Sequence, residues 1–419
     1  MSFGIALSGI DAAQSDLNVT ANNIANSSTT GYKSSTSEFA ELFAVNGSGV
    51  SKTQSGNGVA LTDIAQNFKQ GNISTTGNNL DLAISGDGFF VLKDTSGNID
   101  YTRAGSFQTD ANNYVVNAAG QHLQVYPLTS TGTYNTTTLQ NLQLTNAASA
   151  PSATTSAQTI FNLPSNAAAP ATAFSPTDAS TYNQTTTMTV YDSLGAAHTA
   201  SIYFVKGTTA AGTSNWSAYE YIDGTQVNAQ PLKLAYNSSG VLSSVTNPGG
   251  AAANPQLNAA SFGAYTPTTG AAAMNVSFDF SKSTQYGNTF ATTSLTQDGY
   301  TTGTLSGISV GTDGVVQANF TNGQSLALGK VAVATFANTQ GLQQVANTNW
   351  VATYASGTPL YGQAGQSGAG NIQSGALEDS NVDLTAQLVN MIQAQRNFQA
   401  NAQVITTENQ VTQSIINIR

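Results

Sequence analysis

The two ends of the chain carry one and the same spacing, and this constrains the fold more than anything between them. Phe3, Leu7, Ile10, Gln14, Leu17, Ala21 and Ile24 follow at alternating steps of four and three, as do Leu384, Leu388, Met391, Gln395, Phe398, Ala402, Ile405, Asn409, Thr412 and Ile416. Such positions share one stripe of an α-helix in a coiled-coil repeat. Ser380 with Asp383 three residues on reads as the start of the second helix. The helices span roughly 35 and 55 Å at about 1.5 Å per residue. Gly4 and Gly9 each lower the helix propensity of the first by about 1 kcal/mol relative to Ala, and Gln395, Asn409 and Thr412 thin the stripe of the second. Helices this weak need partners. Either the two pair with each other and close one globular protein, or their stripes pack on other copies of the chain. In the second case the assembly interface is Phe3, Leu7, Ile10, Leu17, Ile24, Leu384, Leu388, Met391, Phe398, Ile405 and Ile416.

Charge narrows the classes of partner. Only 8% of residues are charged, against roughly 25% in an ordinary soluble domain, so the surface is polar without being ionic. A net charge of -10 with 11 Lys plus Arg leaves no basic patch for phosphates, and nucleic acid is excluded as a partner. The chain has no Cys, hence no disulfide and no thiolate metal site. No apolar run approaches the roughly 20 residues of a membrane span, and the first residues, Asp11 and Asp16 among them, do not read as a signal peptide.

Between the helices the pattern is nested. Residues 27–71 and 357–377 are rich in Gly, Ser and Asn and read as connectors, the second as a flexible return. Phe39, Leu42 and Phe43 interrupt the first and predict that part of it packs against something. A first β-domain is expected over 72–146 and 285–356, from short strand patterns such as Phe89 to Leu92 and Leu328 to Ala334 separated by Gly-containing turns. An inserted β-domain, a small sandwich or barrel, is expected over 147–284. Ala, Ser, Thr and Pro-rich segments introduce it, Asp192 to Gly195 forms a hairpin turn, and Met274 to Phe280 alternates cleanly. The fold class is therefore mostly β with terminal α-helices: two nested β-rich domains between coiled-coil-forming helices.

Little in the sequence points to chemistry. His122 and His198 are the only histidines, and neither has neighbours suited to zinc or to a catalytic triad. Asp81 and Asp87 could form a carboxylate pair, but their place in a turn motif favours capping of the backbone. No Walker loop or dinucleotide fingerprint occurs. These readings leave no catalytic, cofactor-binding or metal site and no enzyme.

Three motifs carry a resemblance. Ser8 to Gln14 with Val19 to Asn26 and Thr30-Gly31-Tyr32-Lys33, then Leu80 to Phe90, then Asn381-Val382-Asp383-Leu384 through Gln399 are similar, in order, to the signatures of the bacterial flagellar rod and hook protein family. The long insertion after Leu144 resembles the hook members more than the shorter rod members. The resemblance implies an extracellular subunit that polymerises into a flexible tube transmitting torque from rod to filament, with terminal helices forming the inner wall and the inserted domain outside. It also implies export as an unfolded chain through the flagellar type III apparatus. The neighbours would be the distal rod protein, the hook cap and the hook-filament junction protein. Cross-linking through cysteine, found in some members, is excluded here. A distal rod-type protein and a secreted β-rich adhesin are the alternatives, and the adhesin leaves the matched terminal stripes unexplained.

Overall fold

The computed structural model describes residues 2–42, 56–129, 131–144, 148–207, 213–250, 258–366 and 368–417. Phe43 and the Gly-rich residues 47–55 lie outside them. Helix α1 spans Ser2–Ala25 and α2 spans Leu384–Asn417, and among the described residues the regular structure between them is strands and two short 3-10 turns. The chain divides into two compact units: Met1–Asn146, Ser306–Asn319 and Ser325–Arg419 form the first, and Ala147–Leu305 with Phe320–Gln324 the second.

In the first unit the strand Phe89–Lys93 pairs with Ile99–Thr102, His122–Tyr126 and Ser325–Thr335 in one large sheet. Its run of apolar residues is uninterrupted because both sheet faces are covered. Phe89 and Val91 pack with Tyr101, Tyr126 and Trp350, while Phe90 and Leu92 pack with Leu82, Leu123, Val125 and Val333 on the other side. Gly88 makes this crowding possible. Its φ is +125°, and a Cβ there would lie 2.3 Å from the Val333 side chain.

The connectors are more ordered than their composition predicts. Ser35–Glu41 and Val59–Gln66 form an antiparallel hairpin that packs along α1. It carries no clean alternation because Phe39, Leu42, Leu61 and Ile64 all remain exposed. The return segment is anchored rather than flexible: Leu360–Gln363 pairs with Ser325–Thr335, Asn371–Ser374 with Leu82–Ser85, and Ala376–Glu378 with Ile73–Thr75. Backbone pairing holds it where side chains gave no signal.

The second unit is a sandwich. A sheet ordered Gln184–Tyr191, Ala197–Lys206, Thr213–Ile222, Leu232–Asn237, Leu242–Thr246 faces one built around Ser156–Pro164. Phe161, Phe204, Trp216, Phe278 and Phe280 fill the space between them. The chain leaves this unit at Leu305, later than the Gln285 that strand patterns suggested. Thr284–Tyr286 and Ala291–Gln297 both pair with Ser156–Pro164. Incoming and outgoing segments therefore run side by side, with Ser149 bridged to Gly303 and Ser152 to Tyr300.

Both histidines lie on strands. His122 packs its ring edge-on to Tyr114. His198 is buried between two carboxylates, 2.6 Å from Asp223 through Nδ1 and 3.2 Å from Asp192 through Nε2. Burial alone would lower the His198 pKa, but these hydrogen bonds outweigh it and hold the value above 6.5. Glu220 is a second buried ionisable group. It faces the sandwich interior between Ala218 and Ile222, its Oε1 has no hydrogen-bond partner, and burial pushes its pKa from 4.5 up to about 8.

Both groups give the second unit a pH dependence of the same sign. The Glu220 contribution to stability is whole below pH 4.5 and is lost as pH rises through its folded-state value near 8. That of His198 is whole below pH 6.5 and is lost through its raised folded-state value. Thermal unfolding followed by Trp216 fluorescence in a Trp350→Phe background should move to lower temperature as pH rises from about 5 to about 9. Glu220→Gln should flatten the acidic part of that slope, and an unchanged slope would show that the carboxyl is not the source.

Candidate assembly interface

The terminal helices pack against each other, antiparallel, and two contacts fix their register. Gly9 lies against Asn401, so that a Cβ at Gly9 would sit 2.7 Å from the Asn401 side chain, and Asn23 Nδ2 donates to Gln387 Oε1 at 3.3 Å. Fourteen residues forward on α1 thus correspond to fourteen backward on α2. Small and polar side chains make up the buried stripe: Ala6, Ala13, Thr20 and Asn23 on α1, and Ala394 on α2.

The large apolar residues of the sequence stripes fall into two groups. Phe3, Leu7, Leu384, Leu388 and Ile416 are exposed, Leu388 by 51% and Ile416 by 66%. Ile10, Leu17, Ile24, Met391, Phe398 and Ile405 are half-buried. The pairing therefore half-buries six of these eleven residues and leaves the other five facing outward. Because α2 is longer, residues 409–417 extend past the start of α1, and every one of them is exposed.

What positions the pair is a cluster at its base, where the motifs meet. Asp383, rather than Ser380, caps α2: its carboxylate accepts from the backbone N–H of Thr385 and Ala386. Asn381 accepts from Ser34 N–H at 2.8 Å and donates to the carbonyls of Asn67 and Lys69. On the α1 side, Asn23 Oδ1 accepts from Tyr32 Oη–H and Ser35 N–H. Gly31 turns the chain with φ +70° so close to Ala104 that a Cβ would lie 2.5 Å from its backbone nitrogen. Asp81 stabilises its turn by accepting from Thr76 and Asn78.

At the centre of the cluster is Glu378, fully buried. Lys33 Nζ lies 2.5 Å from its Oε1 and Arg103 Nη1 3.2 Å from its Oε2, and Gly71 N–H donates to it at 2.9 Å. Lys33 also donates to the Lys69 carbonyl, and Arg103 Nη2 to that of Gly86. Desolvation lowers the pKa of both cations, against the attraction of Glu378. None of these three residues appears among the interface residues read from the sequence. The available signal was the rarity of charge: in a chain with so few ionic groups, Lys33 directly after a Gly-Tyr turn is conspicuous.

Four family models match the chain in order. They are the flagella basal body rod protein at residues 3–33, the flagellar hook protein FlgE/F/G D1 domain at 83–160, the flagellar basal body protein FlaE D2 domain at 162–300, and the flagellar basal body rod FlgEFG protein C-terminal at 373–418. Together with the paired terminal helices and nested β units they define a structural protein of the flagellar axis. The flagellar hook protein FlgE of Escherichia coli K12 is 40% identical over 428 residues and covers all of both chains. That of Salmonella typhimurium LT2 is 39% identical over 432 residues, again with full coverage, and that of Borreliella burgdorferi 30% over 439, covering 99% and 98%. The chain belongs to the flagellar hook protein family and is a structural component of the extracellular hook. The crystal structure of Helicobacter pylori flagellar hook protein FlgE2 shares its fold, with a TM-score of 0.52 at 15% identity over 73% of this chain and 100% of that one.

Glu378→Gln should leave two buried cations without a counter-charge and destabilise the first unit by about 3–5 kcal/mol. Denaturant unfolding followed by Trp350 fluorescence in a Trp216→Phe background measures this. A loss under 1 kcal/mol, roughly that of an exposed pair, would show that solvent already screens the cluster.

Proposed function

We propose that the outward-facing apolar residues of the helix pair are the contacts through which copies of this chain polymerise into the hook tube, with no catalytic role for any residue. The observation that carries this reading is the division of the stripes: the chain pairs its helices through Ala6, Ala13 and Ala394 and leaves Phe3, Leu7, Leu384, Leu388 and Ile416 exposed. Burial in a neighbouring copy would contribute about 1.5–3 kcal/mol for each large side chain. Contacts between different patches that do not close into a ring generate a helical tube. In this proposal the helices line the tube and the inserted unit faces outward. Surfaces of small neutral side chains slide past one another as the tube bends during rotation, because few ion pairs fix their geometry. The distal rod protein, hook cap and hook-filament junction protein would meet the two ends of the tube, and the flagellar type III apparatus would export the chain.

Leu388→Asp tests the interface directly. Leu388 is exposed in the single chain, so Asp there should leave the thermal transitions of both units in place. In the tube it would bury an unpaired carboxylate at a cost of several kcal/mol per subunit, and sedimentation should find no polymer. Normal polymerisation would remove this face from the interface.

Because Ser149 and Gly303 are bridged, a short Gly-Ser linker can replace residues 150–302 at small loop-closure cost. Electron microscopy of that variant should show tubes that still form but are straight or differently curved. A variant whose first unit is folded and yet does not polymerise would place essential contacts in the insertion.

A further inference from the structure

We propose that the second unit contains a carboxylate-binding site built around Lys206, filled either by an Asp or Glu side chain of a neighbouring copy or by a small free carboxylate. Lys206 ends the strand Ala197–Lys206, whose alternation turns its side chain inward. The residue is 6% exposed. Its ammonium donates to the Ser165 carbonyl at 3.3 Å and sits 5.1 Å above the Trp216 ring.

Among the described residues no carboxylate lies within ion-pair distance of Lys206, whereas the other buried lysine and arginine side chains each have one: Lys33 and Arg103 share Glu378, and Lys330 lies 3.8 Å from Asp313. Residues 208–212, which follow the strand, are Thr, Thr, Ala, Ala and Gly and supply no acid. Lys206 borders a cavity of about 300 Å³ that is also lined by Ser165, Thr213, Ser214, Asn237 and Gln285. Its walls are neutral and polar, and the ammonium is the one charge at its edge.

That combination selects the ligand. A buried cation is costly unless an anion meets it, and burial lowers the pKa of this one. A single positive charge surrounded by hydroxyl and amide groups suits a singly charged acceptor with two oxygens. A phosphate dianion would want a second cation, and the cavity lining has none. The chain itself offers carboxylates in excess, with 21 Asp plus Glu against 11 Lys plus Arg. Only the first source rests on the polymer reading given above.

The test uses the full chain in two states. In the unpolymerised subunit, sodium acetate is titrated against sodium chloride at constant ionic strength, and Trp216, directly beneath the ammonium, reports in a Trp350→Phe background. Acetate a hundredfold above its dissociation constant should raise the midpoint of the second unit by about 5–10 °C, and Lys206→Met should abolish the rise. In the polymer, assembled from mixed 14N- and 15N-labelled chains, carbodiimide should join Lys206 of one copy to a carboxylate of another, and acetate should suppress the product. An acetate shift without the cross-link assigns the site to a free carboxylate, and the suppressible cross-link assigns it to the neighbour. The absence of both an acetate response in the wild-type subunit and a suppressible cross-link in the polymer overturns the proposal, whether or not Lys206→Met folds. A chain that fails to polymerise would count against the polymer reading alone, since the acetate titration stands without it.

Discussion

One buried carboxylate organises the first unit. Glu378 is met by Lys33 from the segment after α1, by Gly71 N–H from the loop after the hairpin and by Arg103 from the β core, and it lies six residues before α2 begins. Removing any partner would leave a charge in a dry interior. Three stretches near the start of the chain are thereby tied to one that lies 275 to 345 residues further on. The net gain of such a cluster over an apolar substitute is small, but its directionality is what a helix pair with a thin and mostly small-residue interface lacks. The exit directions of both helices depend on it, together with Asn23, Asn381 and Asp383.

The helix pair and the second unit answer burial in opposite ways. The second unit closes its own core between two sheets, and its incoming and outgoing strands pair with each other. It is self-sufficient apart from two buried ionisable groups that have no ionic partner among the described residues, Glu220 and Lys206. The helices bring small side chains together, half-bury residues such as Leu17 and Phe398, and leave Phe3, Leu7, Leu384, Leu388 and Ile416 outside. A single chain of this kind is anchored at the base of its helices and leaves large apolar side chains exposed along them.

The sequence by itself determined the two helices, the apolar strand Phe89–Lys93, the hairpin around Asp192 to Gly195 and the three family motifs, because each is written in local periodicity or turn chemistry that survives without long-range context. Of the two helix arrangements that the stripes allowed, the pair within one chain is the one observed. Tertiary structure alone decided the rest. The hairpin Ser35–Glu41 with Val59–Gln66 and the anchored return to α2 are held by backbone pairing, which leaves no side-chain pattern. The late departure from the second unit follows from Ser156–Pro164 pairing with strands more than a hundred residues away. Which face of α1 meets α2 was decided by the close approach that Gly9, Ala6 and Ala13 permit, a matter of volume rather than of hydrophobic spacing. The partners of Glu378 were beyond local reading for the same reason: a buried ion pair is a relation between distant residues, and nothing in the neighbourhood of any one of them specifies the other two.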